Sequence, residues 1–203
     1  MAWKYEENFN SLNTAALNGQ DSWSGDSDFG VQTSVTAEGA KAVKVSAGNK
    51  YIASGDFSGV SSGNIVFAMR KSSTTSSNNY FAVWFGGSKT QMMVIFDPDG
   101  DIIIKARGAG NDQEVLASFS VDTWYQLEIE FNIGSSTYKA RIREYGESEW
   151  SEWSGNASTY NSYDTIKKLE LYTGSGMVGD AYYDDFRPAP IPVVVTGDFF
   201  QLF

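Results

Sequence analysis

The sequence predicts an all-β fold, an antiparallel sandwich or barrel. Three observations carry this. Apolar residues recur with period two rather than 3.6, breakers of Gly, Ser, Thr and Asn separate the runs, and no long helical stretch interrupts them. The alternation marks eleven strands in order: Ala42–Ser46, Tyr51–Ser54, Gly63–Arg70, Tyr80–Phe85, Gln91–Phe96, Ile102–Ala106, Glu114–Ser118, Trp124–Asn132, Tyr138–Tyr145, Lys168–Tyr172 and Ala181–Arg187. So many short strands exclude an α/β architecture. The lack of an internal repeat argues against a propeller or solenoid.

Two hairpins follow residue by residue. The first joins Met92–Phe96 to Ile102–Ile104 through Asp97-Pro-Asp-Gly-Asp101, where Pro98 presets φ, Gly100 accepts positive φ and the aspartates cap free amides. The second runs Trp124–Ile133, turns at Gly134–Thr137 and returns along Tyr138–Tyr145. A four-residue loop at that place sets Ile129 opposite Ile142 on one face, and Glu128 and Glu130 opposite Arg143 and Arg141 on the other. Each such ion pair contributes about 0.2–1 kcal/mol, and the alternation fixes the register.

Composition then removes whole classes of chemistry. The 203 residues contain no His and no Cys, which excludes a Ser–His–Asp or Cys–His triad, a Cys/His zinc site, His- or Cys-bound haem and disulfides. A formal net charge of -10 makes nucleic acid an unsuitable partner and favours neutral ligands or divalent cations. The opening Met1–Phe9 lacks the basic and apolar regions of a signal peptide, and no apolar run approaches the ~20 residues of a membrane helix.

The end of the chain differs in kind. Pro188, Pro190 and Pro192 stiffen a linker after Arg187, and Phe199, Phe200, Leu202 and Phe203 follow. The expected organisation is a folded domain over 1–187 and, over 188–203, a linker with an apolar anchor. Burying four such side chains against a neighbouring subunit is worth about 6–10 kcal/mol before ordering costs.

The chain resembles the concanavalin A-like lectin/glucanase superfamily in its LamG-like form. The likeness lies in Glu7-Asn-Phe-Asn-Ser-Leu, Leu17-Asn-Gly-Gln-Asp-Ser-Trp, Lys41-Ala-Val-Lys-Val, Asp122-Thr-Trp-Tyr-Gln-Leu-Glu-Ile-Glu-Phe and the closing Tyr182-Tyr-Asp-Asp-Phe-Arg. The resemblance implies a jelly roll of two curved sheets, with members that are enzymes, lectins or structural modules. It also implies a structural Ca²⁺ where first and last strands meet, with Glu7 and Asp185 as ligands and Asp184 nearby. Asp97-Pro-Asp-Gly-Asp101 lacks the order of a calcium loop and reads as a plain turn.

Glycosidases of the superfamily carry paired carboxylates in an E-x-D-x-E or E-x-D-x-x-E strand. The nearest match, Glu128-Ile-Glu130-Phe-Asn132, lacks the third acid, and the opposing arginines suit an ion-paired surface row. No catalytic residue is assigned and a non-enzymatic protein is expected. Sugar contact would use aromatic faces, and Tyr80, Trp84, Trp150, Trp153 and Tyr160 are the candidates. Trp150-Ser-Glu-Trp-Ser154 reproduces the W-S-x-W-S string of haematopoietic cytokine receptors, but that family's disulfides and membrane span are missing, so a Trp-rich strand or loop is expected.

Together these readings point to a surface structural or adhesive protein of a larger assembly, a phage virion decoration or fibre component. It would be anchored to protein subunits by its tail, located on a virion or extracellular surface, and able to touch a polysaccharide or cell-surface glycan. A stand-alone carbohydrate-binding module or lectin is the alternative, and a glycoside hydrolase or polysaccharide lyase comes third.

Overall fold

The computed structural model describes residues 5–73, 81–87, 90–106, 113–160 and 165–189; Tyr80 and the tail residues Phe199, Phe200, Leu202 and Phe203 lie outside them. The described strands are β1 (Ser24–Gly25), β2 (Gly30–Gln32), β3 (Ala42–Val45), β4 (Lys50–Ala53), β5 (Ser62–Lys71), β6 (Phe81–Gly86), β7 (Thr90–Phe96), β8 (Asp101–Lys105), β9 (Gln113–Ser118), β10 (Trp124–Asn132), β11 (Thr137–Glu144), β12 (Ala157–Ser158), β13 (Lys168–Thr173) and β14 (Ala181–Pro188). All eleven strands expected from the alternation are present, each within one residue at either end. The three additional ones, β1, β2 and β12, span only two or three residues and show no readable period.

They form two antiparallel seven-stranded sheets, in the orders β1-β4-β13-β6-β7-β8-β9 and β12-β11-β10-β5-β14-β3-β2. Among the described residues no helix is long and apolar enough to cross a membrane. Alternate residues of the longer strands enter one shared core. Phe67 of β5 stacks on Phe186 of β14 (centroids 5.4 Å, planes 7° apart), while Phe85 of β6 closes on Phe67 from the opposite sheet at 5.5 Å. Phe81 meets Tyr183 edge-on at 5.3 Å and Phe96 at 4.7 Å. These rings lock the two layers together.

The Asp97–Asp101 turn forms as expected. Asp97 Oδ1 accepts the amides of Asp99 (3.0 Å) and Asp101 (2.9 Å), and Gly100 takes φ 97°. In the second hairpin the loop is Ile133–Ser136, one residue earlier than expected, so the register moves by two. Glu128 pairs with Arg141, Glu130 with Lys139 and Gln126 with Arg143. Burial of Ile133 at the loop's start and the left-handed Ser136 (φ 55°) set this loop. Because the shift is even, every side chain keeps its expected face.

β14 breaks its own alternation. A bulge between Asp184 and Arg187 places Asp185 at φ 54°, which frees an aspartate to turn back and bind backbone. The fully buried Asp184 accepts amides from Ala37 (2.9 Å) and Glu38 (3.0 Å) on Oδ2 and from Asp185 (2.8 Å) on Oδ1. It thereby ties the 36–39 turn to the last strand. β14 runs to Pro188, and the Ala189 amide still donates to Asn64 O (3.2 Å).

Phe67→Ala is expected to cost about 3–5 kcal/mol in urea unfolding, whereas Val115→Ser on the exposed edge strand β9 stays within about 0.5 kcal/mol. Burial raises the Asp184 carboxyl from 3.8 to about 7, against the lowering pull of its three amides. The folded state therefore holds a proton that the unfolded chain releases between those values. This group's contribution is complete below about pH 4 and is lost as pH rises through about 7. Asp184→Asn is expected to lower stability by about 1–3 kcal/mol, since its amide NH₂ opposes N–H donors, and to flatten that pH dependence. A difference of unfolding curves between pH 4 and 8 that keeps its slope in the variant would refute this.

Candidate functional site

The inward Leu169 and Leu171 of β13 force Lys168, Glu170 and Tyr172 onto the outer face of the first sheet. The same logic turns Trp84 out of β6, Met93 and Ile95 out of β7, and Ile103 and Lys105 out of β8. Registered pairing aligns them in two rows across five strands. One row is Ala53–Glu170–Trp84–Met93–Lys105 and the next is Tyr51–Tyr172–Ala82–Ile95–Ile103. The centre of this face is apolar: Ala82, Met93, Ile95 and Ile103 form a cluster separate from the core, with Trp84 packed against it.

An aromatic pair and a held carboxylate mark one end. Trp84 stacks on Tyr172 at 4.6 Å with planes 17° apart. Glu170 Oε1, beside them, accepts the Tyr51 hydroxyl (3.1 Å) and lies 2.6 Å from Lys168 Nζ. Burial raises the Tyr51 phenol, with Glu170 adding to it, and the hydrogen bond to Glu170 raises the Lys168 ammonium. Towards the other end a cleft of about 420 Å³ is walled by Trp84, Met93, Ile95, Ile103, Pro98, Asp97 and Lys105. That volume lies in the range of small-ligand sites. The Trp84 Nε1 is buried and has no hydrogen-bond partner among the described residues.

The aromatics expected to contact sugar divide. Trp84 belongs to this face. Tyr160 is 41% exposed, and its amide donates to Gln91 O (3.1 Å) at the start of β7, beside the same face. Trp150 and Trp153 lie over the second sheet, on the other side of the sandwich. Their rings alternate with cations: Arg143 sits over Trp150 at 4.3 Å, Arg141 over Trp150 at 4.9 Å and over Trp153 at 4.6 Å, and Lys139 over Trp153 at 4.6 Å. Each ring thus has two cations within about 5 Å of its centroid. Between the tryptophans, Ser151 and Ser154 each exchange two hydrogen bonds with the backbone of β11, at Ile142 and Ala140 (2.8–3.0 Å). The W-S-x-W-S segment thus covers the free edge of β11.

Tyr51, Glu170, Lys168 and Tyr172 were not among the sequence candidates. Alternation in Lys168–Tyr172 does place three of them on one face. Their convergence with Trp84 depends on β4, β13 and β6 being neighbours, and that pairing is non-local.

The carboxylates expected to hold calcium each have protein partners. Glu7 does bridge β14, exchanging backbone hydrogen bonds with Phe186 (2.7 and 2.9 Å). Its carboxylate, however, accepts the Phe9 amide (2.7 Å) and the Trp23 indole (3.4 Å). Asp184 binds three amides as described, and Asp185 takes Arg187 Nε at 2.9 and 3.0 Å. Protein donors thus reach all three carboxylates. Among the described residues no group of three or more His, Cys, Asp or Glu could hold a metal.

No protein-family model and no curated protein matches the chain. Solved structures do. The catalytic domain of the glycoside hydrolase family 131 protein from Coprinopsis cinerea superposes with TM-score 0.65 at 14% identity, covering 94% of this chain and 96% of that one. A sialidase matches with TM-score 0.64 at 10% identity, over 93% of this chain but only 18% of its own length. The Ca²⁺-bound exoplasmic/lumenal domain of VIP36 matches with TM-score 0.55 at 12% identity, over 93% and 94% of the two chains. These neighbours overturn the expectation of a non-enzymatic protein, because the fold they share with this chain is carried by glycoside hydrolases as well as by a Ca²⁺-bound domain of another kind. The chain has the concanavalin A-like jelly-roll fold.

Proposed function

We propose that the protein binds a neutral glycan across the outer face of the β4-β13-β6-β7-β8 sheet. The observation that carries this reading is the Trp84–Tyr172 pair beside Glu170, Tyr51 and Lys168, continuous with an apolar cleft. A pyranose offers a C–H surface to aromatic and methionine side chains and a rim of hydroxyls that both donate and accept. Here Trp84, Tyr172 and Met93 supply the surface, and Glu170, Tyr51, Lys168 and Lys105 the polar rim. The charges of Glu170 and Lys168 offset each other, which suits a neutral chain better than an acidic one.

The fold neighbours support the class of ligand: two are titled as glycoside hydrolase catalytic domains of family 131, one of them a beta-glucanase, and VIP36 is titled in a Man2-bound form. The virion role expected from the tail finds no support among them and rests only on residues outside the described set.

Titration with gluco- and manno-oligosaccharides, followed by tryptophan fluorescence, tests the proposal. Trp84→Ala is expected to weaken binding at least about tenfold, and Glu170→Gln by several-fold, with both variants folded. Reducing ends that appear with wild-type protein and vanish in Glu170→Gln would mark a hydrolase acting at this face. Unchanged binding in Trp84→Ala would refute the site.

A further inference from the structure

The second sheet carries a different groove, of about 500 Å³, on the opposite side of the molecule. Its floor is the registered row Arg187–Val66–Glu128–Arg141, contributed by β14, β5, β10 and β11. Asn64, Gln126 and Glu130 flank the row. Around it stand four cations and three carboxylates. Lys139 pairs with Glu130 (3.3 Å), Arg141 with Glu128 (2.6 Å) and Arg187 with Asp185 (2.9 Å). Arg143 has only neutral partners: Gln126 Oε1 accepts from its Nε (2.9 Å) and Nη2 (2.6 Å), and Ser148 O from its Nη1 (3.2 Å). Among the described residues Arg143 is thus a cation that no carboxylate pairs directly, although Glu38 and Asp184 also lie near Asp185. Arg187 uses only Nε on Asp185, leaving both terminal nitrogens without a partner among the described residues. Gln126 links the two arginines, its Nε2 reaching Asp185 at 3.5 Å.

We infer that this groove is a second binding site, specific for a carboxylate-bearing saccharide whose anion takes the fork of Arg187 within the field of Arg143. A guanidinium fork matches carboxylate geometry bidentately. The neighbouring Asn64, Gln126, Glu128 and Glu130 alternate donors and acceptors, as an array of sugar hydroxyls does. A peptide strand finds no edge to add to, because main-chain groups on a sheet face are already paired and residues 151–158 cover the edge of β11. The site stands independently of the Trp84 face.

Calorimetric titration with tri-galacturonate and with its carboxyl-reduced neutral counterpart tests the inference. The acidic trisaccharide is expected to bind at least about tenfold tighter than the neutral one, and more weakly as salt rises. Arg187→Ala should remove that preference while its thermal unfolding stays cooperative, and Trp84→Ala should leave it intact. Equal affinity for the two trisaccharides, no binding of either, or full acid preference in Arg187→Ala would each overturn the proposal. So would a glutamate hexapeptide that binds in place of the uronate.

Discussion

The longer strands of this sandwich give alternate side chains to one core, and that constraint decides what the remaining side chains can be used for. Phe67, Phe186 and Phe85 hold the layers together, and the strands that carry them cannot rotate without exposing rings. Once Leu169 and Leu171 face inward, Glu170 and Tyr172 must face out; once Leu127 and Ile129 are buried in the core, Gln126 and Glu128 must face out. The outer rows of the two sheets are by-products of core packing, and both candidate sites are made from them.

The two rows have opposite chemistry. The outer face of the first sheet is apolar at its centre, with a single held carboxylate at one end, so a ligand gains by covering Met93, Ile95 and Ile103. On the second sheet charge is interleaved with tryptophan. The ladder Arg143–Trp150–Arg141–Trp153–Lys139 fixes those cations on ring faces and limits the side-chain entropy lost on binding. The second face is thus rigid and polar, and the first is a hydrophobic surface with a polar rim.

Much of the fold was legible because period-two alternation is a local signal, which is why β3 to β11, β13 and β14 match their expected ranges. Faces were legible too: the hairpin slip of two residues moved Glu128 from Arg143 to Arg141 without changing its side. Strand adjacency was not legible. Trp84 was picked out from its residue type, yet Glu170 and Tyr51 lie 86 and 33 positions from it in the chain, and only the order β4-β13-β6 joins them. Residue type did not reveal surroundings. Trp150 and Trp153 were picked out with Trp84, yet they lie over the other sheet with cations near their rings. Asp184 and Asp185 resemble metal ligands, but a bulge turns one towards backbone amides and the other towards Arg187.

The central claim is that a neutral glycan lies over Trp84 on the first sheet. The six tryptophan indole N–H resonances of isotope-labelled protein, followed during titration with a neutral oligosaccharide that binds, test it most directly. The account predicts that the Trp84 resonance moves with saturation while the core Trp23 and the cation-stacked Trp150 and Trp153 stay in place. Movement of Trp150 and Trp153 with Trp84 unchanged would contradict it.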